Sequence, residues 1–302
     1  MITQMKRNAR LLLKGNLARG AVITLVLLGV LLLFKLLETV CLLALDMAGV
    51  SLSVQGGQGG LPGLLETLPI ASPLSVAVTA GFLILGFFVT APLLVGIKAW
   101  FFGLSGGESP EISAAFAFYS SARLFFKSVL LMLDICLRAF FWVYVLILPG
   151  ALLSATGGAL LTARLRLQNG RLLGTLSVIV GVLLTLLGLL FALVIITRYF
   201  LAPYLFAQNN GLGVRKAIKT SISYMHGSAG RLILLLLSYI LWAAASLLVL
   251  PALYAFPYAQ STLAIFARYT MERGRMDETA EQPEYVPGNP DEEDYPQTSD
   301  ME

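Results

Sequence analysis

The segment Leu172–Thr197 reads LLGTLSVIVGVLLTLLGLLFALVIIT, 26 residues without a single charge. A helix of this kind can cross the hydrocarbon core of a bilayer, which needs about 20 apolar residues. Further apolar stretches predict spans in the same way, at Ala21–Leu45, Leu74–Leu104, Ser128–Leu148, Leu232–Leu250 and Ala252–Ala267. The last is short and contains Pro257, so it fits a tilted span, a re-entrant segment or an interfacial helix. The sequence therefore predicts an all-α fold, a multi-pass transmembrane helical bundle of about six spans with interfacial amphipathic helices.

The composition excludes a water-soluble globular protein. Hydrophobic residues make up 57% of the 302 residues, charged residues make up 13%, and the mean hydropathy is +0.81. A soluble domain could not cover this much apolar surface, whereas lipid can surround it. We therefore expect membrane lipids to be partners of the chain, and we do not expect it to bind nucleic acid.

The C-terminal segment differs from the rest of the chain in charge. Ten of the seventeen acidic residues lie from Asp277 onward, where there is no Lys or Arg. Such a segment has too few apolar residues to offset the entropy of ordering it. The chain thus divides into a transmembrane helical domain, residues 1–275, and a disordered acidic cytoplasmic tail, residues 276–302. The tail offers a binding segment for a protein partner.

The flanking charges predict the orientation of the chain. Lys and Arg are enriched in the short loops that stay on the cytoplasmic side of a membrane. With the N-terminus inside, sixteen such residues lie in inner segments, and three lie outside in one loop, at Arg164, Arg166 and Arg171. Six spans, an even number, place both termini on one side. We therefore predict that the N- and C-termini are cytoplasmic.

Three inner segments share one layout, a short amphipathic stretch followed by a small polar break and a span. The breaks lie at residues 14–19, 119–123 and 226–231. Two interpretations fit: three helix-hairpin repeats in parallel orientation, or the ordinary frequency of small and basic residues at any inner membrane border. Before the second break, Ser109-Pro110-Glu111 has the features of a helix start.

The amphipathic pattern is clearest in Val214–Met225. One face is mostly apolar and contains Val214, Ala217, Ile218, Ser221, Ile222 and Met225. The opposite face is basic and contains Arg215, Lys216, Lys219 and Ser223. If this helix lies in the inner membrane interface, Arg215, Lys216 and Lys219 are the candidate contacts with anionic lipid. The alternative is a cytoplasmic helix packed on the bundle.

Two pairs of opposite charges fall inside predicted spans. Asp134 and Arg138 are four residues apart, and Lys35 and Glu38 are three apart, so each pair lies on one helical face and can form an ion pair. Charges at membrane depth usually face the bundle interior or a water-filled cavity. The four residues are therefore a candidate intramembrane polar site, made by both helices. The alternative is that the pairs neutralise themselves and fix helix packing.

The sequence offers little material for catalysis. His226 is the single histidine, it lies in a predicted interfacial turn, and Cys-x-x-Cys, phosphate-binding glycine loops and nucleophile elbows are absent. The Gly-rich segment 56–60 is not followed by Lys-Ser or Lys-Thr and predicts a flexible loop. We expect no catalytic residues, no cofactor and no metal site, and we predict that the protein is not an enzyme.

Several short blocks resemble a bacterial integral-membrane family known as domain of unknown function nine-seven-five. In the later half of the chain the blocks are Ala217-Ile218-Lys219-Thr220-Ser221, Met225-His226-Gly227, Leu237-Ser238-Tyr239-Ile240-Leu241-Trp242 and Pro257-Tyr258. Upstream the blocks are Leu13-Lys14-Gly15-Asn16, Leu148-Pro149-Gly150 and Ala202-Pro203-Tyr204. The resemblance implies a multi-pass α-helical protein of a bacterial cell membrane, distantly similar to the membrane region of some glycerophosphodiester phosphodiesterases. It implies no known activity.

One departure from this family concerns the middle of the chain. About fifty residues separate Pro149-Gly150 from Ala202-Pro203-Tyr204, where the family passes almost directly from one block to the other. The insertion contains the Arg164–Arg171 loop and an extra apolar run. The register of the third and fourth spans is therefore open at the level of sequence.

Two functions from different classes fit these observations. The first is a non-enzymatic membrane protein that binds or organises lipids or partner proteins at the inner leaflet, which the basic helices favour. The second is a transporter or exporter of a small amphiphilic molecule, which the repeat layout, the intramembrane charges and the prolines within spans favour. A polar central cavity would favour transport, and a dry, Leu-filled bundle would favour the first function.

Overall fold

The computed structural model describes residues 2–49, 53–54, 70–162, 170–209, 211–246 and 248–281. These parts are almost entirely helical. The α-helices are α1 Ile2–Leu13, α2 Leu17–Met47, α3 Pro73–Ser105, α4 Ala122–Thr162, α5 Gly170–Thr197, α6 Ala202–Gln208, α7 Val214–Tyr224, α8 Ala229–Leu237, α9 Ile240–Ala245 and α10 Val249–Glu281. A 3₁₀ helix spans Ile112–Tyr119, and the two-residue strands β1 Ser53–Val54 and β2 Ile70–Ala71 pair antiparallel. The all-α prediction is confirmed.

Four helical segments are long and apolar enough to cross a membrane. They are Leu17–Met47, Pro73–Ser105, Ala122–Leu161 and Gly170–Gln208. Burial is concentrated at one end of α2 and of α3, because α2 is buried only at Gly20, Ile23, Thr24 and Leu27, and α3 only between Ala91 and Leu104. The protein is therefore a membrane protein whose spanning helices project from one packed end. We call this end the base; it comprises residues 2–30, 91–138, 198–209, 211–246 and 248–281.

The fifth predicted span, Leu232–Leu250, is not one continuous helix. It is divided into α8 and α9, which are about 13 Å and 9 Å long and are each too short to cross a bilayer. Polar contacts satisfy the chain at the break: the Lys6 ammonium donates to the Ser238 carbonyl oxygen (3.3 Å), and the Tyr239 and Thr262 hydroxyls are 2.6 Å apart. About six spans is thus not confirmed.

The sixth predicted span, Ala252–Ala267, lies inside α10, which crosses the base. Pro257 and Phe101 both lie against Gly20, within 4 Å of where its Cβ would be. Arg268 lies eleven residues after Pro257, about 16 Å further along α10. It donates hydrogen bonds to Phe102 and Ser105, which lie within about 6 Å of Phe101 along α3. The helix α10 therefore contacts the C-terminal part of α3.

The helices α4 and α5 form an antiparallel hairpin with very close backbones. On α5, Gly174, Gly181 and Gly188 are spaced by seven residues, and on α4 so are Gly150 and Gly157. A Cβ at Gly188 would overlap the Leu146 carbonyl oxygen, and one at Gly157 would lie 2.7 Å from the Gly174 carbonyl oxygen. Small residues at a period near 3.5 allow this approach between membrane helices.

This hairpin fixes the register that was open at the level of sequence. The extra apolar run after Gly150 continues α4, which reaches 41 residues, about 61 Å. That is about twice the thickness of a hydrocarbon core. Since Leu146 faces Gly188, Arg138 lies level with the last turn of α5 and interacts with Tyr199 just beyond it. Asp134 and Arg138 therefore lie where the hairpin enters the base, not at its middle.

The predicted layout of short helix, polar break and long helix is present at the first break, where α1 is followed by a turn with Gly15 at φ +100° and then by α2. The third break has the short helix α7 and a turn with Gly227 at φ +71°, but the helix that follows, α8, has only nine residues. Only glycine adopts such a φ without strain. At the second break the short element is the 3₁₀ helix, which lies in close contact with Gly96. The interpretation as three repeats stays a prediction.

The last helix extends past the boundary predicted at residues 275 and 276. The helix α10 continues to Glu281, because Tyr224 binds Glu278 and Arg273 lies 3.8 Å from Asp277. The first six residues of the predicted disordered tail are thus helical. The rest of the tail, the Gly-rich segment 56–60, and Arg164 and Arg166 lie outside the described residues.

Candidate functional site

A polar cavity of about 780 Å³ opens in the base. It lies among the end of α3, the loop that follows it, α6, α7 and the second half of α10. The charged and polar lining side chains are Glu108, Gln208, Asn209, Lys216, Thr220, Tyr224, Arg268, Arg275 and Glu278, and apolar residues such as Phe102 and Leu205 complete the wall. Residues from the four helices α3, α6, α7 and α10 and from the adjoining loops thus surround one space.

Arg268 is fixed at the end of α3. Its Nη2 donates to the Phe102 carbonyl oxygen (2.9 Å), its Nε donates to the Ser105 hydroxyl (3.2 Å), and its Cζ lies 4.5 Å from the centroid of the Phe102 ring. The last carbonyls of a helix lack intrahelical partners and favour a cation. Gly106 leaves room for this arrangement, because a Cβ there would lie 2.5 Å from Nη2.

The other two cations of the cavity come from α10 and α7. Arg275 donates from Nη2 to the Gln208 amide oxygen at 3.2 Å. Lys216 has an exposed side chain, and within the described parts of the chain no carboxylate lies within 4.0 Å of it, of Arg268 or of Arg275. Three positive charges therefore line the cavity while bonded to neutral partners or to none.

The two carboxylates of the cavity are positioned differently. Glu278 accepts a hydrogen bond from the Tyr224 hydroxyl (2.9 Å), and burial together with this carboxylate raises the pKa of Tyr224. The ring of Tyr224 lies flat against Gly274, where a Cβ would be 2.5 Å away. Glu108 is exposed and rests beside Gly103. With two acids against three bases, the cavity suits an anionic ligand better than a cationic one.

The apolar face of α7 is packed on the bundle. Ala217 and Ile218 are buried, and the buried Ser221 hydroxyl donates to the Arg198 carbonyl oxygen (2.7 Å) and accepts from the Leu201 amide (3.1 Å). The predicted faces are correct. Only Lys216 of the predicted lipid contacts lines the cavity; Arg215 and Lys219 are exposed elsewhere on α7.

The sequence matches one family model over residues 2–273, that of "Protein of unknown function (DUF975)". The chain belongs to this family. No curated protein and no solved structure matches it significantly. The matched region includes all the cavity residues except Arg275 and Glu278, which lie just beyond its end.

The four predicted intramembrane charges form their two pairs in this family member. Lys35 Nζ lies 3.1 Å from Glu38 Oε2, and Arg138 Nε lies 2.9 Å from Asp134 Oδ1. The pairs are on α2 and α4, with 71% of the Lys35 side chain and 44% of the Arg138 side chain exposed on the outside of the bundle. None of the four lines the 780 Å³ cavity. Their role as a polar site stays a prediction.

Sequence analysis missed most of the cavity. Arg268 and Arg275 counted there only as inner flanking charges, and the partners that hold them are 166 and 67 residues away in the chain. No spacing rule connects such positions. The one available signal was the block Ala217–Ser221, which includes the buried anchor of α7 and lies next to Lys216.

Proposed function

We propose that this protein binds anionic lipid headgroups in the cavity of the base and has no catalytic activity. One observation carries the proposal: Lys216, Arg268 and Arg275 line one space without a carboxylate in ion-pair distance among the described residues. A phosphate group can accept two hydrogen bonds from one guanidinium, and charge-assisted bonds of this kind are the strong ones. The size of the cavity, about 780 Å³, is within the range of small-molecule sites.

The position of the cavity supports a lipid in preference to a soluble anion. It lies where α3 ends and α7 begins its basic face, and the apolar helices of the hairpin project from the same base. A lipid could place its headgroup among the cations and its acyl chains against those helices. Cationic clusters next to spans are typical of sites for acidic phospholipids.

A binding experiment with matched variants tests this function. The purified protein is incorporated into nanodiscs of phosphatidylcholine with 10–20% phosphatidylglycerol (about this range keeps the surface moderately anionic), and retained lipid is measured by native mass spectrometry. We expect the double variant Lys216→Gln, Arg275→Gln to lose most of the retained phosphatidylglycerol. The matched control Arg215→Gln, Lys219→Gln removes the same charge from outside the cavity and should retain it. If both variants lose phosphatidylglycerol equally, its retention reflects only general attraction to a basic surface and not binding in the cavity.

We further propose a location and an orientation. The protein lies in the cell membrane of a bacterium with both termini cytoplasmic; the excess of Lys and Arg in the inner segments supports this. The distant similarity to the membrane region of glycerophosphodiester phosphodiesterases rests on the sequence blocks alone.

The remaining expectations concern the α8–α9–α10 region and the tail. We expect α8 and α9 to form one arm of a hairpin and early α10 to form the other, and this hairpin to enter the bilayer without crossing it. Its two arms and the four spanning helices together give about six membrane-embedded segments. The acidic tail serves as the contact for a protein partner. Labelling of single cysteines placed at residues 241 and 248 with a membrane-impermeant reagent, from each side of sealed vesicles, distinguishes an embedded hairpin from two full spans.

Transport of a small amphiphile stays the alternative. The cavity is polar, as a transporter requires, but it lies at one end of the spanning helices and not between them. Uptake or efflux of a labelled lysophospholipid by proteoliposomes is the deciding measurement. A rate that depends on Arg275 would favour transport over static binding.

A further inference from the structure

A fourth cation, Lys98, lies near the cavity but does not line it. Lys98 is on α3, one helical turn before Phe102, and its side chain is half-buried. Its Nζ lies 4.8 Å from the centroid of the Tyr204 ring and 5.6 Å from that of Phe200. Among the described residues no carboxylate lies within 4.0 Å of it, and its ammonium donates no hydrogen bond. A lysine contacted only by aromatic rings at this depth is uncommon.

The aromatic ring nearest to this lysine carries an unsatisfied hydroxyl. Tyr204 is completely buried, and its hydroxyl has no hydrogen-bond partner among the described residues. Buried polar groups are nearly always bonded, so that an orphaned donor indicates a water or a ligand that completes the site. A single oxyanion could accept hydrogen bonds from both Lys98 Nζ and the Tyr204 hydroxyl.

The contacts connect this pair to the cavity in series. Arg268 stacks on Phe102, the ring of Phe102 lies 5.9 Å from that of Tyr204, and Tyr204 contacts Lys98. Neighbours of the pair in the sequence, Ala99 and Leu205, line the cavity itself. The Phe102 ring thus separates two groups of oxyanion donors, one in the cavity and one behind it. One phosphate beside Arg268 would be separated from Lys98 by this ring.

We propose that the ligand of this site carries two anionic groups, the first bound by Lys216, Arg268 and Arg275 and the second by Lys98 and the Tyr204 hydroxyl. The inference deepens the proposed function and rests on it. The chemical class it selects is an amphiphile with two phosphodiester groups on one polar backbone, in preference to a lipid with a single phosphodiester.

The test compares two lipids at equal phosphate content. Nanodiscs of phosphatidylcholine are doped either with phosphatidylglycerol, which has one phosphodiester, or with cardiolipin, which has two, and retained lipid is measured by native mass spectrometry. We expect the unmodified protein to retain cardiolipin at least tenfold better. We expect Lys98→Met to abolish this preference and to leave phosphatidylglycerol retention unchanged, whereas Arg275→Gln should lower the retention of both lipids.

The outcomes separate the two proposals. If neither lipid is retained above phosphatidylcholine, the proposed function fails. If both are retained equally, or if Lys98→Met keeps the preference, the two-anion ligand is overturned while anionic-lipid binding stands. Should Lys98→Met not fold, Tyr204→Phe decides in its place, because it removes the orphaned hydroxyl and keeps the ring beside Phe102. We expect this variant to lower cardiolipin retention about threefold with an unchanged melting temperature.

Discussion

The α4–α5 hairpin and the base are stabilised by different interactions, although they belong to one chain. In the hairpin, glycines bring two backbones together, and nearly all larger side chains of α5, such as Leu183 and Phe191, point outward. In the base, buried aromatic side chains fill the interior, among them Trp100, Tyr204, Phe206 and Tyr258. Lipid must solvate the first region, whereas protein covers the second.

This difference indicates where function resides. The hairpin presents apolar surface and close backbone contact, an arrangement that holds a helix pair in a bilayer. Among the described residues, the base contains cations with neutral partners and hydroxyls without partners, both of which a ligand can satisfy. The five predictions below test whether the two regions differ as described, beginning with the variant of largest expected effect.

The largest effect is expected in the base, from Gly96→Ala. A Cβ at Gly96 would overlap the backbone carbonyl oxygen of Ala115, because the 3₁₀ helix lies directly on α3. Neither backbone can shift easily, since the Trp100 indole also donates to the Pro110 carbonyl oxygen (3.1 Å). We expect destabilisation of about 3 kcal/mol, the upper end for overpacking, measured by thermal unfolding with Trp fluorescence.

The control for this variant is on the same helix. A Cβ at Gly81 would meet no atom within 4 Å, and alanine has the better helix propensity. We therefore expect Gly81→Ala to be neutral or slightly stabilising. Equal melting temperatures for the two variants would contradict the close contact between the 3₁₀ helix and Gly96.

A smaller effect is expected in the hairpin, from Gly157→Ala. The new Cβ would lie 2.7 Å from the Gly174 carbonyl oxygen and 2.8 Å from Ser177 Cβ. The pair can separate slightly because lipid, not protein, lies around it, so we expect a loss of about 1–2 kcal/mol, the lower end for overpacking. The adjacent Gly158, whose Cβ would meet nothing within 4 Å, supplies the control. Similar behaviour of the two alanine variants in a melting assay would argue against the close-packed register.

The third prediction concerns the cation that connects α10 to α3. Replacing Arg268 with Gln removes the charge at the end of α3 and the stacking on Phe102. We expect a loss of about 1.5 kcal/mol, since helix-terminal charge and cation–π contacts each contribute about 0.5–1 kcal/mol. Because the base also binds the ligand, phosphatidylglycerol retention should fall in the same variant. An exposed arginine, Arg231, provides a control that should change neither quantity.

The two regions also differ in how far the sequence predicts them. Hydropathy gives the spanning helices, and helical periodicity gives both faces of α7, because these depend on neighbours three or four residues away. The heptad spacing of Gly174, Gly181 and Gly188 was available as a signal for the hairpin. The cavity depends on contacts across more than one hundred residues, such as Arg268 with Phe102, which no local pattern contains. The break at Ser238 likewise requires Lys6 and Thr262, which come from opposite ends of the chain.

The smallest effect is expected at the far end of α10, from Tyr224→Phe. Loss of the hydrogen bond to Glu278 should cost about 1 kcal/mol, since the partner is ionised and partly exposed. Hydrogen exchange at residues 276–281 should rise in the variant, because this bond helps α10 to continue past residue 275. Unchanged exchange there would mean that the helix continues for other reasons.

The same bond predicts a pH dependence with a definite sign. The pKa of Tyr224 is raised in the folded protein, first by burial and then by Glu278, above its usual value of 10.0. Its contribution to stability is therefore fully present below about pH 10 and is lost as the pH rises through the folded pKa. Tyr224→Phe should thus remove part of the fall in melting temperature between pH 9 and pH 11 (about one unit on either side of the tyrosine reference value). Gly81→Ala, which leaves every hydroxyl in place, should keep the whole fall.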